Sequence, residues 1–102
     1  MNVVCLTGRM VFDAEVKKTY TGKSVCNFVI TTKRIGNETY DYVDCIAWFD
    51  VAEQAGKIGK KGTFVEVKGY IINDVYVDRQ KITRKTQKVM ATSIETGEEQ
   101  DG

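Results

Sequence analysis

The chain has 102 residues, with 15 Lys and Arg, 14 Asp and Glu, three Cys, no Pro and no His. That length fits one domain around one core, and 42% apolar with 28% charged residues is a globular rather than a disordered mix. Without His, a Ser-His-Asp or Cys-His hydrolase is excluded and the commonest zinc ligand is missing.

Along the chain, Val4, Leu6, Gly8 and Met10 alternate with Cys5, Thr7 and Arg9, which predicts a strand. A polar stretch follows over 17–23, with a turn at Gly22. Residues 24–33 predict a second strand, with Cys26, Phe28 and Ile30 facing the core and Asn27, Val29, Thr31 and Lys33 outward. Ile35-Gly36-Asn37-Glu38 reads as a connecting loop, and 39–49 as a third strand rich in aromatic and β-branched residues. The period then changes: Val51, Ala55 and Ile58 fall at helical spacing, with Asp50 as expected cap, Glu53 completing a capping box, and Gly59 and Gly62 as stops. A fourth strand is expected over 63–72, then a loop or hairpin from Asn73-Asp74 that contains Tyr76, then a last strand over 89–94. Five strands with one short helix between the third and fourth is the order of an all-β OB-fold, a five-stranded Greek-key barrel. Closure removes the exposed edges that so small a sheet would otherwise carry.

The third strand carries the functional signal. Parity separates Asp41, Val43, Cys45, Ala47 and Phe49, mostly small and apolar, from Tyr40, Tyr42, Asp44, Ile46 and Trp48. Large rings beside charges make a poor core but a good stacking platform for bases, which all present a π-face. Parity alone leaves Trp48 open between such a platform and a core or subunit interface. The fourth strand repeats the pattern, with Val65, Val67, Gly69 and Ile71 expected inward and Phe64, Glu66, Lys68 and Tyr70 outward. Tyr76 lies among Asp74, Asp78, Arg79 and Lys81, a setting poor for a core ring. Arg9, Lys17, Lys33, Arg34, Lys61, Lys68, Arg79 and Arg84 interleave with these rings and would follow phosphates along a groove.

Two lookalikes fail. Gly56-Lys57 and Gly59-Lys60 resemble a phosphate loop, but Gln54 and Lys61 stand where the Walker pattern needs Gly and Ser or Thr. Asp41 and Asp44 are three apart on a strand and point to opposite faces, so they converge on no proton or metal. No cofactor, metal or catalytic residue is expected, and the chain reads as a binding module rather than an enzyme.

Cys5, Cys26 and Cys45 are odd in number and widely spaced, with no CxxC pair, which suits reduced thiols and a cytoplasmic protein. No signal-peptide pattern opens the chain, and no apolar run approaches the roughly 20 residues needed to span a bilayer. All fifteen basic residues and ten of the fourteen acids fall within 1–94, a net +5; the last eight residues hold four acids and no base. The expected organisation is therefore a binding domain over 1–94 and a short acidic tail over 95–102.

These residues resemble a family. Asn2-Val3-Val4-Cys5-Leu6-Thr7-Gly8-Arg9-Met10 is similar to the opening strand of bacterial-type single-stranded DNA-binding proteins. Asp13-Ala14-Glu15-Val16-Lys17 is similar too, with Ala14 where the family usually has Pro. Asn27-Phe28-Val29-Ile30, Ala47-Trp48, Ala52-Glu53, Lys61-Gly62 and Val67-Lys68-Gly69 continue the match in order. The resemblance covers about 2–94 and implies an OB-fold that binds single-stranded DNA with little sequence preference in replication, recombination and repair. It implies a homo-oligomer, a tetramer more than a dimer. It carries stacking roles onto Tyr42, Trp48 and Tyr76 and a phosphate contact onto Lys61. A further stacking position falls near Arg34-Ile35, where this chain has no ring and a guanidinium would have to substitute. Cellular family members end in an acidic tip with an apolar anchor that recruits replication and repair proteins. Glu98-Glu99-Gln100-Asp101-Gly102 has the acid but no anchor, which suits a phage, plasmid or conjugative element, or a truncated chain. Two other readings stay open on the residues alone: an RNA-binding or primosome-associated OB module, and a structural oligomer subunit whose aromatic face is buried.

Overall fold

The computed structural model describes residues 1–98. Six strands and a helix follow in the order β1 (Val4–Met10), β2 (Glu15–Lys18), β3 (Ser24–Lys33), β4 (Tyr40–Trp48), α1 (Phe49–Ile58), β5 (Phe64–Val77) and β6 (Thr83–Thr96). The strands pair in the sequence β1-β5-β6-β4-β3-β2, and β1 also pairs with β3. Five strands therefore close on themselves, while β2 attaches to the outer side of β3. β4 and β6 run parallel, Cys45 opposite Val89 and Ile46 opposite Met90; the other ladders of the described residues are antiparallel. This is the OB-fold barrel that the element order predicts.

Alternation builds the core. Cys26, Phe28 and Ile30 of β3, Cys45 and Ala47 of β4, and Val65 and Val67 of β5 are buried. In β6, Val89 and Ala91 point inward and so does Ile94, three residues on. A bulge explains the change of parity: Lys68 faces Ser93, Gly69 faces Ala91, and Thr92 is the extra residue. Its hydroxyl donates to the Lys68 carbonyl at 3.1 Å. Two glycines permit the close strand crossings of so small a barrel. A Cβ on Gly8 would stand 1.7 Å from the Thr31 carbonyl oxygen, and one on Gly69 would stand 1.9 Å from that of Met90.

The structure corrects several expectations. β2 is not among the expected strands and overlaps the start of the stretch read as polar over 17–23; β3 holds it from Glu15 opposite Asn27 to Lys18 opposite Ser24. Tyr76 is in a strand rather than a loop: β5 continues to Val77 and β6 begins at Thr83, so the two form an arm extending beyond the barrel. The turn instead falls at Asp78–Ile82, where the Asp78 carboxylate accepts the backbone N–H groups of Gln80 (2.9 Å) and Ile82 (3.0 Å). Ile71, expected inward, is 41% exposed because β5 has already left the barrel there. Phe49, expected inward, is 58% exposed and opens the helix. Asp50 does not cap α1: the cap position is Trp48, without a side-chain hydrogen bond, because β4 runs straight into the helix. Glu53 closes no capping box either, but accepts from Ser24 Oγ at 2.6 Å and pairs with Lys18 at 3.4 Å, tying α1 to β2 and β3. Val51, Ala55 and Ile58 still face the core, as their spacing predicts, and Ala52 joins them. β6 runs through Thr96, and of the acidic tail expected over 95–102, residues 99–102 lie outside the described residues.

Candidate nucleic-acid interface

The outward side chains of the barrel strands form one continuous surface. Across four strands the register aligns Tyr42 with Thr31, Thr31 with Arg9, and Arg9 with Phe64. The Arg9 guanidinium lies 5.7 Å from the Phe64 ring centroid and donates to the Gly62 carbonyl at 2.8 Å. A groove of about 580 Å³ runs over this row, lined among others by Arg9, Lys33, Tyr40, Phe64, Glu66 and Glu98. Tyr42 is 71% exposed, so its position is not that of a core ring.

β4 carries the surface on to its other end. Tyr42 and Trp48 share a face and are six residues apart, about 20 Å along the strand. Two shallow hollows lie between them, both edged by Asp44 and Lys88. Through the parallel ladder, Ile46 stands beside Met90, and Met90 faces Tyr70. From there the arm keeps the same side: Ile72 opposite Lys88, Asp74 opposite Thr86 and Tyr76 opposite Arg84. Tyr70 and Tyr76 thus extend the face of β4, and both are exposed. Trp48 is only partly exposed, beside the Phe49 ring at a centroid separation of 6.4 Å.

The cations divide into two groups. Arg34 grips Asp41 with both guanidinium arms, each at 2.9 Å, and this holds the Asp41 carboxyl below the usual carboxylate range. Arg84 binds Asp78 at 2.9 Å, Lys33 reaches Glu38 at 3.4 Å and Lys68 reaches Glu66 at 3.4 Å. Such exposed pairs add little to folding and exchange readily for phosphate. Lys17 on β2, Lys61 in the turn before β5, and Arg79 in the arm turn form no ion pair with another described residue. Lys17 and Lys61 lie away from the row through Tyr42 and Phe64: Lys17 faces Val25 on the outer strand pair, and the Lys61 backbone N–H binds Asp13 at 2.8 Å.

Sequence reasoning left out Tyr40, Lys88 and Phe49. Alternation put Tyr40 on the outward face with Tyr42 but assigned it no role; it lines the groove beside Lys33. Lys88 lay ahead of the expected last strand, and only the β6 register brings it over β4, paired with Asp74 at 2.9 Å. Buried thiols take no part: burial pushes Cys45 up to about 12 and also raises Cys26. No group of three or more metal-ligating side chains occurs among the described residues. No helix there is long and apolar enough to cross a membrane.

Comparison with known proteins gives the chain a family. The single-strand binding protein family matches residues 1–96. The single-stranded DNA-binding protein 1 of Synechocystis is 33% identical over 93 residues, which cover 88% of this chain and 77% of that protein. The single-stranded DNA-binding protein of Fusobacterium nucleatum is 33% identical over 106 residues, 96% of this chain and 68% of its own length. That of Oceanobacillus iheyensis is 31% identical over 100 residues, 93% of this chain but 62% of its own length. The match spans the whole barrel, from β1 to the end of β6, and with it the face that joins the exposed rings to the cations: the chain belongs to the single-strand binding protein family.

Proposed function

We propose that the protein coats single-stranded DNA without strong sequence preference, in replication, recombination or repair. The observation that carries this reading is the single outward face joining Tyr42, Trp48, Tyr70 and Tyr76, with Phe64 and Arg9 at its far side. Rings at intervals along a strand suit a flexible chain of unstacked bases, while duplex DNA offers no free base faces. Arg9, Lys17, Lys33, Arg34, Lys61, Lys68, Arg79 and Arg84 supply phosphate contacts. One barrel presents only a short path, so a homo-oligomer, a tetramer rather than a dimer, would gain affinity by holding several stretches of one strand. The reduced state of three unpaired cysteines fits a cytoplasmic setting.

A single Trp makes the test direct. Oligo-dT should quench Trp48 emission, duplex DNA should not, and the affinity should fall as salt rises. Trp48→Ala, followed by a labelled oligonucleotide, should cost about 1–3 kcal/mol of binding with an unchanged circular dichroism spectrum. An unaltered binding curve for that variant would remove Trp48 from the interface.

A further inference from the structure

Phe49 occupies a conformation that its residue type disfavours. Its φ is 55°, in the left-handed region where Cβ crowds the neighbouring carbonyl, and for a bulky side chain that is an outlier. Gly or Asn would hold the same backbone at lower cost. Lys81, the other non-glycine residue with positive φ, sits in the arm turn, where local hydrogen bonds shape the chain. Burial does not repay Phe49: its ring is 58% exposed and stands outside the core that α1 packs with Ala52 and Ala55. Nor does the ring cap the helix. What the conformation achieves is a position, with the ring 6.4 Å from Trp48 and inclined to it by 45°. Strained residues that persist without a packing reward cluster at ligand clamps.

We infer that Phe49 is a further base-contacting residue, forming with Trp48 a two-ring corner at the end of β4 that holds one nucleobase of the single strand. A base stacked parallel to the Trp48 indole would be inclined to the Phe49 ring by about 45°, as the indole itself is, so the two rings offer it a face and an oblique wall. The inference rests on the proposed stacking role of Trp48. It gives the strand a fixed point where β4 ends, in contrast to the isolated ring of Tyr42.

Glycine separates the side chain from the strain. In the full-length protein, Phe49→Gly should melt no lower than the parent, because glycine accepts the backbone, yet bind fluorescein-labelled oligo-dT about fivefold more weakly or worse. Phe49→Leu, which keeps the bulk and the strain but not the ring, should lose a similar factor, and Phe49→Tyr should restore parental binding. Iodouracil-substituted oligo-dT should cross-link to the peptide containing Phe49. Parental affinity in the Gly and Leu variants, or equal loss in Leu and Tyr, overturns the inference. So does a change of sedimentation in the Leu variant, which would place the ring in a subunit contact. A parent chain that fails to bind oligo-dT overturns the wider reading of the protein; a binding parent with indifferent Phe49 variants overturns this one alone.

Discussion

The Arg34–Asp41 pair shows how one acid conditions a basic surface. Arg34 stands just past β3, next to Lys33 and near Tyr40, but two of its N–H donors, on Nε and Nη2, are committed to Asp41. A phosphate on the remaining donors would sit in the repulsive field of that carboxylate. Asp41→Asn should therefore tighten binding to oligo-dT at low salt, by about threefold, and the gain should vanish as salt screens the charge. An anisotropy titration at two salt concentrations checks it, and unchanged affinity at low salt would show that Arg34 takes no part. The pairing itself was not legible in the sequence. Asp41 had the parity of core residues, and only the ends of β3 and β4, where they rise past the barrel, put it beside Arg34 in the open. Phe49 was hidden for a different reason: spacing cannot announce that a bulky residue takes a glycine-like backbone.

At the level of elements, legibility follows burial. β1, β3 and the body of β4 each have one buried and one open face, so alternation revealed their bounds and their inward residues. β2 has only Val16 as an apolar residue and shows no alternation. The arm has two exposed faces, and its turn contains no Gly, so Asn73-Asp74 was taken for a break that the chain ignores. The glycines of the barrel are legible only afterwards. Gly8→Ala would drive a methyl into the Thr31 backbone where β1 crosses β3, and we expect at least about 3 kcal/mol of destabilisation. A thermal melt should show Tm lower by about 10 °C or more, and a smaller loss would mean that β1 can shift away from β3.

For the molecule as a whole, three solvent-accessible carboxylates give folding a small sensitivity to acid. Ser24 and Lys18 hold Glu53 below its ordinary value, Arg34 does so for Asp41, and the Ile82 amide and Arg84 do so for Asp78. Each folded pKa lies below the unfolded one, near 3.9 for Asp and 4.3 for Glu. Their contribution is thus complete above those values and is lost as pH falls through the lower folded ones. Melting temperature should be flat near neutrality and fall below about pH 4. Ser24→Ala should reduce the Glu53 share of that fall, which melts across a pH series would measure. Overall charge adds to this fall: the chain carries +1 at pH 7, but with its 14 acids protonated the 15 Lys and Arg stand unopposed and repel one another.

The arm has a dynamic consequence. Beyond Ile71 and Val89, the last positions tied to Asn2 and to β4, its two strands are held mainly by their own ladder, with most side chains exposed and none in the buried core. Amide protons from Asn73 to Val77 should therefore exchange with deuterium through local fraying, long before those of Val65 and Val67, which wait for global opening. A strand of DNA lying across Tyr70 and Tyr76 would slow this exchange selectively. The free protein would thus carry one ring of its aromatic track, Tyr76, on a segment that becomes rigid only when occupied, and part of the binding free energy would be spent on ordering it.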